Sequence, residues 1–206
     1  IVGTVGLPSL YGGFETLADY LVRYLSSNYD ITVWCSWDIP REKRQRQYHG
    51  ARLKYLPFSA NGMVSIIYDI LSLLFSINMQ KIIVLGVSGG LIFPFLRPVR
   101  GKLIINIGGL DWKRSKWTPL ERKILKWLEG LAIRNSGIVV ADNAAIKSYL
   151  ENEYGIDAVL IEYGGDHVFH VKPDRKDLSK YPFLTSRYAF SVARIQPDNN
   201  VELILE

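Results

Sequence analysis

Apolar positions along this chain alternate between two textures. Short, nearly continuous apolar runs (IVGTV at the start, then DITVWC, ARLKYL, KIIVLG, KLIINI, GIVVAD and AVLIEY) read as strands covered on both faces. Between them lie stretches whose apolar residues recur three and four apart. In GFETLADYLVRYLSS, residues Phe14, Leu17, Ala18, Leu21, Val22 and Leu25 share one helical face. Further helices are predicted over 64–78, 119–135 and 144–154. Strand–helix alternation of this kind predicts an α/β fold: an open, parallel, Rossmann-like sheet with helices on both faces and right-handed crossovers.

The texture changes near residue 172. Residues 172–187 are polar, contain Pro173 and Pro182, and read as a linker. YAFSVARI then reads as a new strand, followed by QPDNN and a helix opening, VELILE. The expected organisation is a first domain over 1–171, a linker over 172–187, and the first βα of a second, truncated Rossmann-like domain over 188–206.

Composition narrows the class. With 48% hydrophobic and 22% charged residues in 206, the chain is globular. Its one cysteine, Cys35, excludes an internal disulfide and a cysteine-based metal site; it fits a reducing, cytoplasmic compartment and reads as a buried strand residue. The formal charge of +5 comes with two basic clusters, 41–46 and 113–116, both too short for a nucleic-acid tail, so no nucleic-acid partner is expected. No signal peptide is visible. The apolar stretch 63–77 contains Asp69 and several serines and falls short of the ~20 residues a spanning helix needs. Two readings stay open for it: a buried core helix, or an amphipathic contact with an anionic membrane at the inner face of the plasma membrane.

In open parallel sheets, ligands bind beyond the carboxyl ends of the strands, at the point where strand order reverses. That rule selects the loops 6–13, 86–90, 108–116, 142–143 and 163–167. In the first, Gly12 and Gly13 precede a helix, where bare backbone N–H groups and the helix dipole suit an anion. Turn geometry alone would also explain the pair. The spacing is not G-x-G-x-x-G, and no Walker lysine follows. In the second cluster, NIGGLDWKRSKW, residues Asp111, Trp112, Lys113, Arg114, Lys116 and Trp117 crowd one strand end. Indoles can stack on a sugar, and arginine and lysine can hold a phosphate. A solvated basic helix start with packed tryptophans is the alternative. Asp166, His167 and His170 follow the last strand, but no third metal ligand accompanies the histidines. Arg194 ends the SVARI strand and could point into a cleft between domains or form a structural ion pair.

Four blocks together carry a resemblance: GTVGLPSLYGGFETLADYLV, NIGGLDWKRSKW, IEYGGD and ARIQPDNN. They resemble bacterial family 4 glycosyltransferases, specifically the N-terminal domain of the rhamnosyltransferase-type subgroup of polysaccharide assembly. The resemblance implies a B-type architecture, two Rossmann-like domains facing across a cleft, and retention of anomeric configuration. It implies a nucleotide-sugar donor, a saccharide or lipid-linked saccharide acceptor, and neither cofactor nor catalytic metal. Gly12, Gly13 and Arg194 match donor-diphosphate positions. Trp112, Lys113, Arg114 and Lys116 match the acceptor-side signature, with Asp111 as the catalytic candidate. Two departures stand out: Gly108 replaces an aspartate of the related N-x-D-G turn, and Asn199 stands where a lysine is common. The donor-sugar glutamates would lie downstream, so residues 1–206 alone are expected to lack transferase activity. The rival readings are a nicotinamide-dependent Rossmann oxidoreductase and a non-catalytic saccharide- or lipid-binding module.

Overall fold

The structure is a computed structural model that describes residues 1–9, 12–165, 171–191, 201 and 203. The chain divides into two compact units, Ile1–Lys113 with Trp117–Glu162, and Arg114–Lys116 with Tyr163–Glu206.

The first unit is built on parallel strands. Three form one set in the order β1 (Thr32–Ser36), β3 (Ala51–Leu56), β2 (Gln47–Tyr48); four form another, β4 (Ile82–Leu85), β5 (Leu103–Asn106), β6 (Ile138–Ala141) and β7 (Val159–Leu160). The N-terminal segment, residues 1–5, stitches the sets together. Toward β1, Trp34 N–H donates to the Ile1 carbonyl (3.0 Å) and Ser36 N–H to that of Val5 (2.7 Å). Toward β4, Val2 N–H donates to Ile83 and Leu85 N–H to Val2, both at 2.9 Å. The order is therefore β2-β3-β1, segment 1–5, β4-β5-β6-β7. Only β2 runs antiparallel, as a hairpin with β3 through His49 and Gly50, whose φ values of 44° and 85° suit a tight primed turn. The chain starts mid-sheet, grows one way through β1 and β3, then returns to grow the other way from β4. The reversal lies between segment 1–5 and β4, and ligands of such sheets collect there.

Alternation along the strands shows the two faces. Ile82 and Val84 join one core cluster, whereas Ile83 and Leu85 pack with the other. Helix α1 (Gly13–Leu25) covers the second with Ala18 and Val22. Cys35 is fully buried there, and burial pushes its thiol up to about 11. The first cluster lies under α2 (Ser65–Phe75), a run of 3₁₀ turns (Ser88–Lys102), α3 (Pro119–Asn135) and α4 (Ala144–Tyr154). The expected Rossmann-like α/β sheet with helices on both faces is present.

Local chemistry sets the clearest boundaries. Thr118 and Glu121 form a capping box ahead of Pro119, and Asn143 caps α4, which ends at left-handed Gly155. Segment 1–5 differs from its expectation. It reads as a strand, yet Gly3 sits at φ 84°, and beside its hydrogen bonds to β1 the segment forms one isolated bridge, Val2 with Val84. A Cβ on Gly3 would lie 2.0 Å from the Leu85 carbonyl oxygen, so glycine is what lets the segment approach β4.

Helix α2 is inside out. Its buried positions are Ser65, Tyr68, Asp69, Ser72 and Leu73, with Ser76 just beyond. Val64, Ile67, Leu74 and Phe75 face solvent. The inner serines bond locally, Ser72 to the Asp69 carbonyl (2.9 Å) and Ser76 to that of Ser72 (2.7 Å). The indole of Trp34 donates to Ser76 (2.8 Å). Among the described residues, no helix is long and apolar enough to cross a membrane.

In the second unit, residues expected as a linker contain α5 (Arg175–Lys180), capped by Asp174 and Asp177, and a 3₁₀ turn over Pro182–Thr185. Of the expected YAFSVARI strand, residues 188–191 are exposed and form no strand, while 192–195 with Arg194, and Asp166, His167 and His170, lie outside the described residues.

Candidate functional site

The carboxyl ends of segment 1–5, β4 and β5 meet at the reversal point, and Phe14 marks where. Phe14 is the second residue of α1. A Cβ built on Gly108 would lie 2.7 Å from its ring, and one on Gly86 3.6 Å. The loops after all three neighbouring strands thus converge on one aromatic ring. Gly108 has φ 62°, and its N–H donates a local hydrogen bond to Asn106 Oδ1 at 2.8 Å. An aspartate in this place would need Phe14 to move.

Gly12 heads α1 at φ 119°, and among the described residues no side chain caps that end. Gly13 is exposed, with nothing within 4 Å of a Cβ position. The space is open at Gly13, whereas at Gly12 the Glu15 carboxylate lies close, its Oε2 1.9 Å from a Cβ position there; helix-end N–H groups of this kind suit an anion where they are reached. The loop that carries them is held from below by Glu15, which is buried. Its Oε1 accepts from Val5 N–H (2.8 Å) and from the Thr4 hydroxyl (3.0 Å). Thr4 Oγ1 accepts from Gly6 N–H (3.1 Å), and the Tyr68 hydroxyl donates to the Thr4 carbonyl (2.9 Å). A carboxylate in the first turn also offsets part of the helix's positive end. Glu15, Thr4 and Tyr68 were not singled out from sequence. The only local signal was an acidic residue just past a glycine pair.

After β5, Asp111–Lys113 form a 3₁₀ turn. Asp111 Oδ2 accepts from the Trp117 indole at 3.2 Å, closing the turn onto the start of α3. Trp112 has cations over its ring on two elements, Lys113 Nζ at 5.3 Å and Lys126 Nζ at 4.9 Å from the centroid. Its own Nε1 is buried and has no hydrogen-bond partner among the described residues. Such a donor carries a penalty of about 1–3 kcal/mol until an acceptor reaches it. Arg114 and Lys116 group with the second unit, and Arg194 lies outside the described residues. Within the first unit, the structure brings together Gly12, Gly13, Phe14 and the Gly108 turn, and it joins Asp111 to Trp117 and Trp112 to Lys113.

A family model described as a domain of unknown function, DUF1972, matches residues 1–166. The chain belongs to this family. No curated protein matches it. The DUF1972 match spans every candidate residue named from sequence except Arg194 and His167 to His170.

Two further features of the DUF1972 region were hidden from sequence. Lys126 is caged by the rings of Trp112, Tyr149 and Tyr154, at 4.9, 4.7 and 4.8 Å. Buried Glu129 accepts from Tyr149 (2.5 Å), Tyr154 (2.6 Å) and Lys126 (3.4 Å). Burial alone would lower the Lys126 ammonium, but bonds to Tyr149 and Glu153 and the Glu129 charge hold it raised. Burial and Glu129 push Tyr154 far up. This knot bolts α3 and α4 beneath Trp112. The second feature is Asp38, just past β1, where Rossmann oxidoreductases place an acidic ribose ligand. Here its Oδ2 accepts from Ser59 (2.8 Å), Ala60 N–H (3.0 Å) and Asn61 (3.0 Å), tying down the loop after β3. Glycines 89 and 90, in a loop marked as a ligand candidate, serve packing: a Cβ on Gly90 would lie 2.1 Å from the Leu128 carbonyl oxygen. Among the described residues, no group of three His, Cys, Asp or Glu side chains could hold a metal ion.

Proposed function

We propose that this chain is the acceptor-side domain of a glycosyltransferase that moves a sugar, rhamnose in the first instance, from a nucleotide-sugar donor to a saccharide or lipid-linked saccharide. The observation that carries the reading lies at the reversal point: the head of α1, with no side-chain cap among the described residues, packs through Phe14 on the Gly108 turn, which leads into Asp111, Trp112 and Lys113. Domains of this family are commonly associated with glycosyltransferases, which supports the class.

In this reading the donor diphosphate lies against Gly12 and Gly13, whose N–H groups stabilise charge developing on the leaving phosphate. The acceptor saccharide stacks near Trp112, whose Nε1–H donates to one of its oxygens. Asp111, oriented by the Trp117 indole, takes the acceptor hydroxyl's hydrogen bond and steers it to the anomeric carbon. Lys113 attracts anionic groups on the acceptor. Anomeric configuration is retained. Asp38 is occupied with its own loop, so the oxidoreductase reading gains no support from it.

The test is sugar transfer from labelled nucleotide-rhamnose and related donors by the natural full-length protein. Asp111→Asn is expected to lower kcat at least a hundredfold, and Trp117→Phe about tenfold, with the fold intact by circular dichroism. Transfer unchanged in Asp111→Asn would remove Asp111 from the mechanism. NADH binding without nucleotide-sugar binding would replace the class.

A further inference from the structure

The reversed polarity of α2 leaves an apolar face that, among the described residues, is covered only at its carboxyl end, where Phe75 stacks on the Trp34 ring at 5.5 Å. Ile67 is 50% exposed, Leu74 41% and Phe75 58%, and Val64 and Ile77 extend the strip. The adjoining run Ser88–Lys102 packs against α2: a Cβ on Gly89 would lie 2.8 Å from Leu73 and 3.0 Å from the Asp69 Cβ. That run adds Leu91 and Phe95, the latter 76% exposed. Scattered exposed apolar residues need no explanation, but a strip along one face of a helix, with further exposed apolar residues on the run packed against it, does.

Charge identifies what covers it. Between residues 63 and 102 the acidic side chains reduce to Asp69, which is buried on the opposite side of α2. The basic ones are Lys81, Arg97, Arg100 and Lys102. Lys81 and Lys102 donate to the Gly101 and Ile77 carbonyls (3.2 and 3.3 Å), which holds two ammonium groups beside the carboxyl end of α2. Arg97 is exposed. The surface of this forty-residue stretch is therefore apolar and cationic, without an exposed carboxylate. A protein partner or a second copy would be matched by mixed charge at the rim. An anionic bilayer is matched by this pattern: apolar side chains enter the acyl boundary and cations meet the headgroups.

We infer that the outer face of α2, with the adjoining Ser88–Lys102 run, is a docking surface for an anionic lipid bilayer. It does not depend on the proposed sugar transfer.

The experiment is co-sedimentation of the 206-residue chain with phosphatidylcholine vesicles, with and without phosphatidylglycerol, at low and high salt. Sedimentation velocity without lipid runs in parallel. The expected result is binding that requires phosphatidylglycerol and weakens with salt. Ile67→Gln with Leu74→Gln, both at exposed positions and helix-compatible, lowers it at least tenfold. Lys81→Gln with Arg97→Gln lowers it several-fold, about fivefold per cation at most, and flattens the salt dependence. Thermal melts check that both variants fold. No binding to anionic vesicles overturns the inference, as does binding indifferent to Ile67→Gln with Leu74→Gln. Self-association that this pair abolishes, without vesicle binding, assigns the face to a second copy instead.

Discussion

Asp69 offers the sharpest physical test of the fold around the reversal point. Its carboxyl sits on the inner face of α2, 5% exposed, and burial pushes it up to about 7, with the Ser88 hydrogen bond pulling the other way. In the unfolded chain it titrates near its ordinary value of 3.8. Between those values the native state holds a proton that the unfolded state has lost. Stability from this group is therefore complete below about pH 4, falls as pH rises, and is gone above about pH 7. Each pH unit across that window is worth about 1.4 kcal/mol, so about 3 kcal/mol lies between pH 5 and pH 8. Asn in place of Asp keeps the shape and an acceptor for Ser88 but cannot ionise. Urea unfolding of both proteins at the two pH values cancels every other titration common to them. The difference in stability, Asp69→Asn minus wild type, is expected to rise by about 2–3 kcal/mol from pH 5 to pH 8. Profiles that stay parallel within about 0.5 kcal/mol would refute the reasoning, because a carboxyl in contact with water would titrate alike in both states.

Three further outcomes are expected. Gly108→Ala combines a positive φ with a 2.7 Å approach to Phe14, and is expected to cost on the order of 1–3 kcal/mol; Phe14→Leu should recover part of it in a double-mutant cycle by thermal unfolding. Glu15→Ala strips the acceptor from Val5 N–H and the Thr4 hydroxyl, so hydrogen exchange at Val5 should accelerate sharply and stability fall by about 1–3 kcal/mol. Glu129→Leu removes the acceptor shared by Tyr149, Tyr154 and Lys126, and is expected to cost about 3–5 kcal/mol by urea midpoint, against about 1 kcal/mol for Tyr154→Phe.

Elements with strong local signals were legible. The helices read over 119–135 and 144–154 are α3 and α4, because a clear apolar period coincides with caps at both ends. Sheet class followed from the apolar runs of β1, β4 and β5, which are covered on both faces, whereas β3 alternates buried with exposed positions and β7 is exposed. Illegible parts owe their shape to distant residues. The Ser88–Lys102 run carries Pro94 and Pro98 and has no period to read; it is held by buried glycines against α2 and α3. Residues 63–77 were read as apolar, but which face turned inward could not be, since the buried side is the serine side. At the site, the Gly12 and Gly13 loop and the Asp111 turn were legible by strand-end position. Their supports were not: Glu15 reaches back ten and eleven residues, and Glu129 gathers partners twenty and twenty-five residues on.

The most direct test of the site is a titration of isotopically labelled protein with a nucleoside diphosphate sugar, followed by amide chemical shifts. Shifts concentrated at Gly12, Gly13 and Phe14, with smaller ones from Gly108 to Lys113, are the expected result, and Gly13→Asp should erase them. Saturable binding that leaves those amides unmoved, or no shift at millimolar ligand, would contradict a diphosphate site at the head of α1.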